Sequence, residues 1–439
     1  MKLSLVTVHA AILFSSAAFA IPVGRGLRAR QDGKTMTMGS ASAGSVGAAY
    51  FITNEPDENF VVSADIGQDG KLSLRQAVST GGSGLHGDDG GANGPDPLFT
   101  QGAVKVSASA NMLATVNPGS NTISVFGIDQ NDPATIARVG DPIGSGGEFP
   151  VSVAFNKAGD MLCALNGGEV NGVRQVDKSK GLVPAAGTNR RLDLNQTTPA
   201  NGPAGTVSHV LFSEDNKQLV ASVKGVPPNP GFLAVWDVSE DGSLSRDFRS
   251  VAPSKGGLLP FSMTIVPGKN AILATDAGVG FDIFDFGGVA DKNSKSAAAG
   301  KSSVVPIDGQ KATCWSSFSP KTGNFYLTDI GTSQVTEVNL DDNLKGKVVK
   351  QYDQGQDSGT IDNDIVSIGD KDFMFVLSAN ATRVDILSLD APGQAKNIQK
   401  LDIAGPAKAV GLKINGSNLQ GMTTFIKKRD NNERIILGS

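Results

Sequence analysis

The chain has 439 residues, a formal net charge of −4 and only 19% charged residues. So mild a balance gives no electrostatic case for nucleic acid or an anionic membrane surface as partner. Three His and two Cys in the whole chain exclude a multi-histidine metal centre and a disulfide-rich framework.

Lys2 precedes an apolar run from Leu3 to Phe19 that closes on Ala18-Phe19-Ala20. A basic start, a short apolar core and an A-x-A site read as a secretory signal peptide over residues 1–20. The run is too short, and too interrupted by His9 and Ser15-Ser16, to span a membrane. No later segment approaches a span, so a secreted protein without membrane insertion is expected. Residues 21–46 read as a flexible leader or propeptide. Within them Arg25-Gly26-Leu27-Arg28-Ala29-Arg30 is either a basic cleavage site or a solvated arm. Residues 429–439 form a tail without the hydrophobic stretch a lipid anchor needs.

Residues 47–428 carry a repeating phrase: an apolar residue, a short polar turn, then a large apolar residue seven positions on. Its copies are Val106–Leu113, Phe155–Leu162, Phe212–Leu219, Ile265–Ile272, Phe318–Phe325, Val366–Phe373 and Leu412–Leu419. Successive copies start 49, 57, 53, 53, 48 and 46 residues apart. Four short strands per unit at this period predict an all-β, seven-bladed β-propeller. The first segment, Tyr50–Asn54 to Leu74, lacks an opening inner strand, and the last, Ala409–Lys428, has little else. One blade shared between the N- and C-terminal segments would close the ring and remove two open sheet edges. Cys163 and Cys314 then fall on separate blades, too far apart to bridge, and read as buried free thiols.

Motif-borne chemistry is absent: there is no GxSxG, HExxH, CxxC or Walker loop. No metal or other cofactor is expected. His209 lies three residues before its anchor, where the other units carry Ala103, Ser152, Ser262, Trp315 and Asn363. It is either a residue of the axial funnel or a structural His bonded to a neighbouring blade. Asp362 and Asp364 would bring carboxylates to the funnel. Arg174, Arg190 and Arg191 sit in loops of the longest unit, and their forks suit a carboxylated ligand. His86, beside Asp88 and Asp89, is either a cation-binding element or part of a solvated Gly-rich loop. Three N-x-S/T sequons begin at Asn195, Asn380 and Asn415 and fit N-glycosylation.

Units such as Ser208–Gly225 (SHVLFSEDNKQLVASVKG) and Gly147–Gly168 (GEFPVSVAFNKAGDMLCALNGG), with Gly94-Pro95-Asp96-Pro97, carry a family resemblance. The chain resembles the lactonase-type seven-bladed propellers over most of residues 47–428. That family includes 6-phosphogluconolactonase-like proteins and fungal 3-carboxymuconate cyclases, and the resemblance is strongest to secreted fungal cyclase-like members. Its members carry a basic residue, a Gln and a closely spaced His pair ahead of an inner strand. Here the stretch Leu98–Lys105 keeps Gln101 and lacks the His pair, while His209 matches a His at the head of another inner strand. The resemblance implies a site at Gln101 and His209. Two readings follow. One is an extracellular binding or adhesion propeller, monomeric, taking a small carboxylated molecule or a protein or glycan ligand. The other is a lactonase or cycloisomerase for a 3-carboxymuconate-like substrate, an isomerase or lactone hydrolase with His209 as general acid/base and Arg190 and Arg191 as carboxylate partners. Secretion and the missing His pair favour the first.

Overall fold

The computed structural model describes residues 34–177, 183–184, 189–287 and 301–428. The expected signal peptide, the Arg30 site and the tail 429–439 lie outside the described residues.

In six units the repeated phrase is a β-hairpin whose end residues face each other across the two innermost strands. Val106 pairs with Leu113, Phe155 with Leu162, Phe212 with Leu219, Ile265 with Ile272, Phe318 with Phe325 and Val366 with Phe373. The polar residues between them are the turn. Asn111 and Asn216 take φ of 52° and 58° there, a left-handed conformation that Asn and Gly adopt at low cost. A cross-strand apolar pair closing a tight turn is a local stabilising unit, which is why the phrase is readable along the chain.

Each unit continues into a four-stranded antiparallel sheet ordered from the axis outward. Blade 3, for example, runs Val207–Phe212, Gln218–Val223, Phe232–Asp237 and Arg249–Val251. The inner strands of blades 1 to 7 are Val104–Ser107, Pro150–Phe155, Val207–Phe212, Pro260–Ile265, Thr313–Ser319, Thr360–Ile368 and Gln420–Ile426. Second strands such as Met112–Asn117 and Ala271–Asp276 are buried along their whole length, because each blade is covered on both faces by its neighbours. Phe281, Phe325 and Phe375 are among the large side chains buried between blades, each contributing roughly 1.5–3 kcal/mol relative to exposure.

Blade 7 is the shared one. Its inner strand Gln420–Ile426 pairs with Gly47–Ile52, followed outward by Phe60–Ile66 and Leu72–Ser79. The ring is therefore closed by hydrogen bonds between opposite ends of the chain. Two details differ from the sequence reading. The seventh phrase, Leu412–Leu419, is not a hairpin: a short helix, Ala404–Ala409, and a single 3₁₀ turn, Gly416–Asn418, precede the inner strand. In blade 7 the closing pair is Gly47 with Ile426. No turn joins them, so no phrase exists to be read. Residues described within the expected leader 21–46 also include a strand, Thr35–Thr37, paired with Leu72–Ser79 as a fifth, outermost strand of blade 7.

The inner strands all run the same way, so the ring has two distinct ends. The hairpin face carries the turns after the inner strands, and the entry face is where those strands begin. No helix among the described residues is long and apolar enough to cross a membrane.

Candidate functional site

At the entry face the axis is filled by the chain itself. The segment Pro95–Gly102 precedes the inner strand of blade 1 and bonds to blades around the ring. Ser152 Oγ of blade 2 donates to Gln101 O (2.8 Å), and Gln101 N donates to Ser208 O of blade 3 (3.0 Å). Thr100 O receives Trp315 Nε1 of blade 5 (2.7 Å) and Gln420 Nε2 of blade 7 (3.1 Å). Lys224 Nζ donates to Phe99 O (2.7 Å) and lies 4.4 Å from the Phe261 ring centroid. Asp96, Phe99 and Gly102 have φ of 69°, 54° and 90°. A Cβ at Gly102 would stand 2.6 Å from Ser152 Oγ and 3.0 Å from His209 Cδ2, so this position takes only glycine. Irregular pairing at the head of the inner hairpin recurs in blades 2 to 7, where strands bend to meet this plug.

Three buried ionisable groups lie in or beside the plug. Asp362 Oδ2 accepts from Gln420 Nε2 (2.6 Å) and Gly421 N (2.8 Å), and burial pushes its carboxyl up to about 7. Burial likewise raises Asp96 and lowers Lys224, with each opposing the other's shift.

On the other side of the plug the axis opens to the hairpin face as a funnel of about 340 Å³. Its wall is made partly by the phrase itself, since Val106, Phe155, Phe212, Ile265 and Phe318 all line it.

His209 stands where plug and funnel meet, and it is 3% exposed. Its Nδ1 accepts a hydrogen bond from Met263 N (3.0 Å), an amide on the free edge of the next blade's inner strand. Equivalent residues do the same work elsewhere: Val210 N donates to Ser152 Oγ (3.2 Å) and Val106 N to Thr423 Oγ1 (3.3 Å). His209 is thus a structural His bonded to a neighbouring blade, and it also lines the funnel. Because Nδ1 accepts, the ring proton is on Nε2, and that N–H has no partner among the described residues. Burial, aided by the Lys105 charge, holds the imidazole well below its usual range, so the ring is neutral.

Lys105 and Asp364 supply the funnel's charges. Lys105, half-buried on the inner strand of blade 1, has no hydrogen bond or ion pair among the described residues. Asp364 accepts from Thr424 Oγ1 (2.9 Å) and Ile365 N (3.0 Å). Burial raises its carboxyl, with Lys105 opposing. Sequence reading missed Lys105. Its signal was comparative: one residue before the anchor, the next four blades carry Ala154, Leu211, Thr264 and Ser317.

The remaining candidates lie elsewhere or are already occupied. Gln101 lines the funnel, but its amide bonds Ser316 at both ends, donating to Ser316 O (3.0 Å) and accepting from Ser316 N (3.2 Å). Arg190 and Arg191 form a short strand beside Gly172 and Val173 in blade 2, outside the funnel lining. Arg190 donates to the carbonyls of Leu244 and Ser245 (both 2.7 Å), tying blade 2 to blade 3, and Arg191 pairs with Asp193 on the surface (2.8 Å). Arg174 lies within the strand Gly172–Asp177, not in a loop. His86 faces Gly87 O and Gly94 O at 2.7 Å each, holding its own loop together. Among the described residues no group of His, Cys, Asp and Glu is arranged to hold a metal ion. Cys163 and Cys314 are buried free thiols, raised by burial.

Residues 41–184 match the family described as Lactonase, 7-bladed beta-propeller. No curated protein matches the chain. Among solved structures, a Bacteroides fragilis protein assigned as a 6-phosphogluconolactonase aligns with TM-score 0.59 and 12% identity, over 88% of this chain and 99% of its own. A Bacteroides uniformis protein with the same assignment aligns with TM-score 0.59 and 13% identity, over 82% and 98%. The Pseudomonas aeruginosa periplasmic gluconolactonase aligns with TM-score 0.57 and 14% identity, over 82% and 97%. At such identities the likeness concerns the fold, and it agrees with the ring built above from hairpins. The chain is an all-β, seven-bladed β-propeller, similar over residues 41–184 to the lactonase propeller family and similar in fold to these structures.

Proposed function

We propose that the axial funnel binds a small carboxylated molecule and that the protein does so outside the cell, as a binding propeller. The observation that carries this is the pairing, in one cavity, of an unpartnered buried Nε2–H on His209 with an unpaired Lys105. A ligand carboxylate would answer both, each charge-assisted bond contributing about 1.5–3 kcal/mol. The Phe155, Phe212 and Phe318 wall suits an apolar ring behind the carboxylate. His209 acts here as a neutral donor. Its Nδ1 lone pair is occupied, so the role of general acid/base expected from the sequence does not suit it. The extracellular setting is supported by the signal-peptide pattern of residues 1–20.

A second reading, turnover of a lactone or muconate, is favoured by one observation. Asp364 is a funnel carboxyl raised by burial, and a proton carrier near neutral pH needs such a shift. Calorimetric titration with 3-carboxy-cis,cis-muconate and a panel of small carboxylated lactones tests both, alongside a turnover assay. The binding reading expects saturable binding, weakened about 10- to 100-fold by Lys105→Ala, and no turnover. Turnover abolished by Asp364→Asn would establish the second reading in its place. Absence of saturable binding across the panel would contradict both.

A further inference from the structure

The three sequons are far apart in the chain, and the fold brings them to one side of the ring. Asn195 follows Arg191, which pairs with Gly172 at the head of its strand, and Asn171 Nδ2 donates to the adjacent Leu194 O (2.8 Å). Asn380 lies in the turn between Lys371–Ser378 and Arg383–Leu389. Asn415 N donates to Glu55 Oε1 (2.6 Å), and Glu55 lies in the turn between Gly47–Ile52 and Phe60–Ile66. All these loops and turns belong to the entry face. Gly416 sits against Ala379 O, so the second and third sequons are neighbours. All three Asn are exposed. The Asn195 and Asn380 side chains make no hydrogen bond among the described residues, and Asn415 uses only Oδ1, accepting from Ser417 N (3.1 Å). Each Nδ2 is therefore available.

Three cavities among the described residues lie on the opposite side. The funnel opens on the hairpin face. A groove of about 560 Å³ lies between the turns of blades 3 and 4, at Glu214 and Lys269. Another of about 450 Å³ lies between blades 6 and 7, at Asp69, Lys371 and Asp390. All of these residues are in or beside turns on the hairpin face.

We infer that Asn195, Asn380 and Asn415 are N-glycan acceptors that coat the plugged entry face and leave the hairpin face, with its cavities, bare. The modification joins Nδ2 to the anomeric carbon of a lipid-pyrophosphate-linked oligosaccharide. The C–O bond to pyrophosphate breaks, the lipid pyrophosphate leaves, and Nδ2 gives up one proton. At Asn415 this leaves the Oδ1 cap of the 3₁₀ turn intact. A bulky, hydrophilic glycan on the entry face covers no cavity described above and turns the funnel toward any ligand or partner.

The inference rests on the extracellular reading, and the experiment separates the two. The full chain is expressed in a eukaryotic secretory host with its own N-terminus and, in parallel, with the host's leader replacing residues 1–20. Glycosidase release followed by peptide mapping scores each Asn. All three should be occupied, with one gel step lost for each of Asn195→Gln, Asn380→Gln and Ser417→Ala, the last keeping the Asn415 cap. Unoccupied sites in folded protein secreted behind the host leader would overturn the inference. Occupied sites in that arm with no secretion from the native N-terminus would support the acceptors and count against the extracellular reading alone.

Discussion

At the entry end of the axis, Thr100 O receives two side chains, Gln101 uses both ends of its amide, and Lys224 caps a carbonyl under an aromatic ring. At the hairpin end of the same strands, Lys105 makes no hydrogen bond or ion pair among the described residues, although its charge acts on Asp364, and His209 Nε2 has no hydrogen-bond partner among them. Both ends are polar, so polarity alone does not mark a site. A buried polar group whose bonds are made holds the ring together, whereas one left over costs desolvation that a ligand can recover. His209 makes the point within one ring, with Nδ1 serving the fold and Nε2 facing the site.

Variants at the two ends should therefore fail differently. Gly102→Ala places a side chain at φ 90° and into Ser152 and His209, so it should lower stability by about 3 kcal/mol in denaturant unfolding. Lys105→Ala should leave the unfolding midpoint within about 0.5 kcal/mol of wild type while removing about 2 kcal/mol of binding to a small carboxylate. A loss of stability with unchanged binding would reverse the assignment of the two ends. His209→Ala should do some of each: the Met263 amide loses its partner, costing about 1–2 kcal/mol of stability, and binding also weakens.

A buried group away from the axis sharpens the same contrast. Asp282 is fully buried beside Asp276, and burial, then the Asp276 charge and a shared proton with that carboxylate, hold it well above its ordinary value of 3.8. A raised carboxyl is protonated in the fold and ionised in the unfolded chain. Its contribution is full below pH 3.8 and is lost as pH rises toward the folded pKa, by up to about 1.4 kcal/mol per pH unit. Asp282→Asn should remove that slope, so the variant gains on wild type as pH rises above 3.8 in unfolding measured across pH. The smallest effect is expected for Arg191→Ala, which breaks one exposed ion pair and should shift stability by less than about 0.5 kcal/mol and binding not at all.

The ring was legible because its information is local. Six hairpins announce themselves within eight residues, and the shared blade could be inferred from complementary fragments. Blade 7 hid its closing pair because Gly47 and Ile426 come from opposite ends of the chain. The plug was hidden for a related reason: Gln101 and Ser316 are 215 residues apart, so no spacing rule connects them. His209 could be named from its place in the repeat, but only geometry divides its two nitrogens. Arg190 and Arg191 were chosen for the right chemistry, but Arg190 satisfies open carbonyls of the neighbouring blade and Arg191 pairs with Asp193. Lys105 carried no motif of its own, although its counterparts in the next four blades carry no charge.

The most direct test of the account is imidazole ¹⁵N NMR of His209 during titration with 3-carboxy-cis,cis-muconate or another small carboxylate. His86 is the only other His after residue 20, which makes the assignment simple. The account predicts a neutral ring with the proton on Nε2, unchanged well below pH 6.5, and an Nε2–H resonance that shifts on saturation with ligand. A ring that titrates near pH 6.5, or an Nε2–H that ignores every carboxylate while the protein binds one elsewhere, would contradict it.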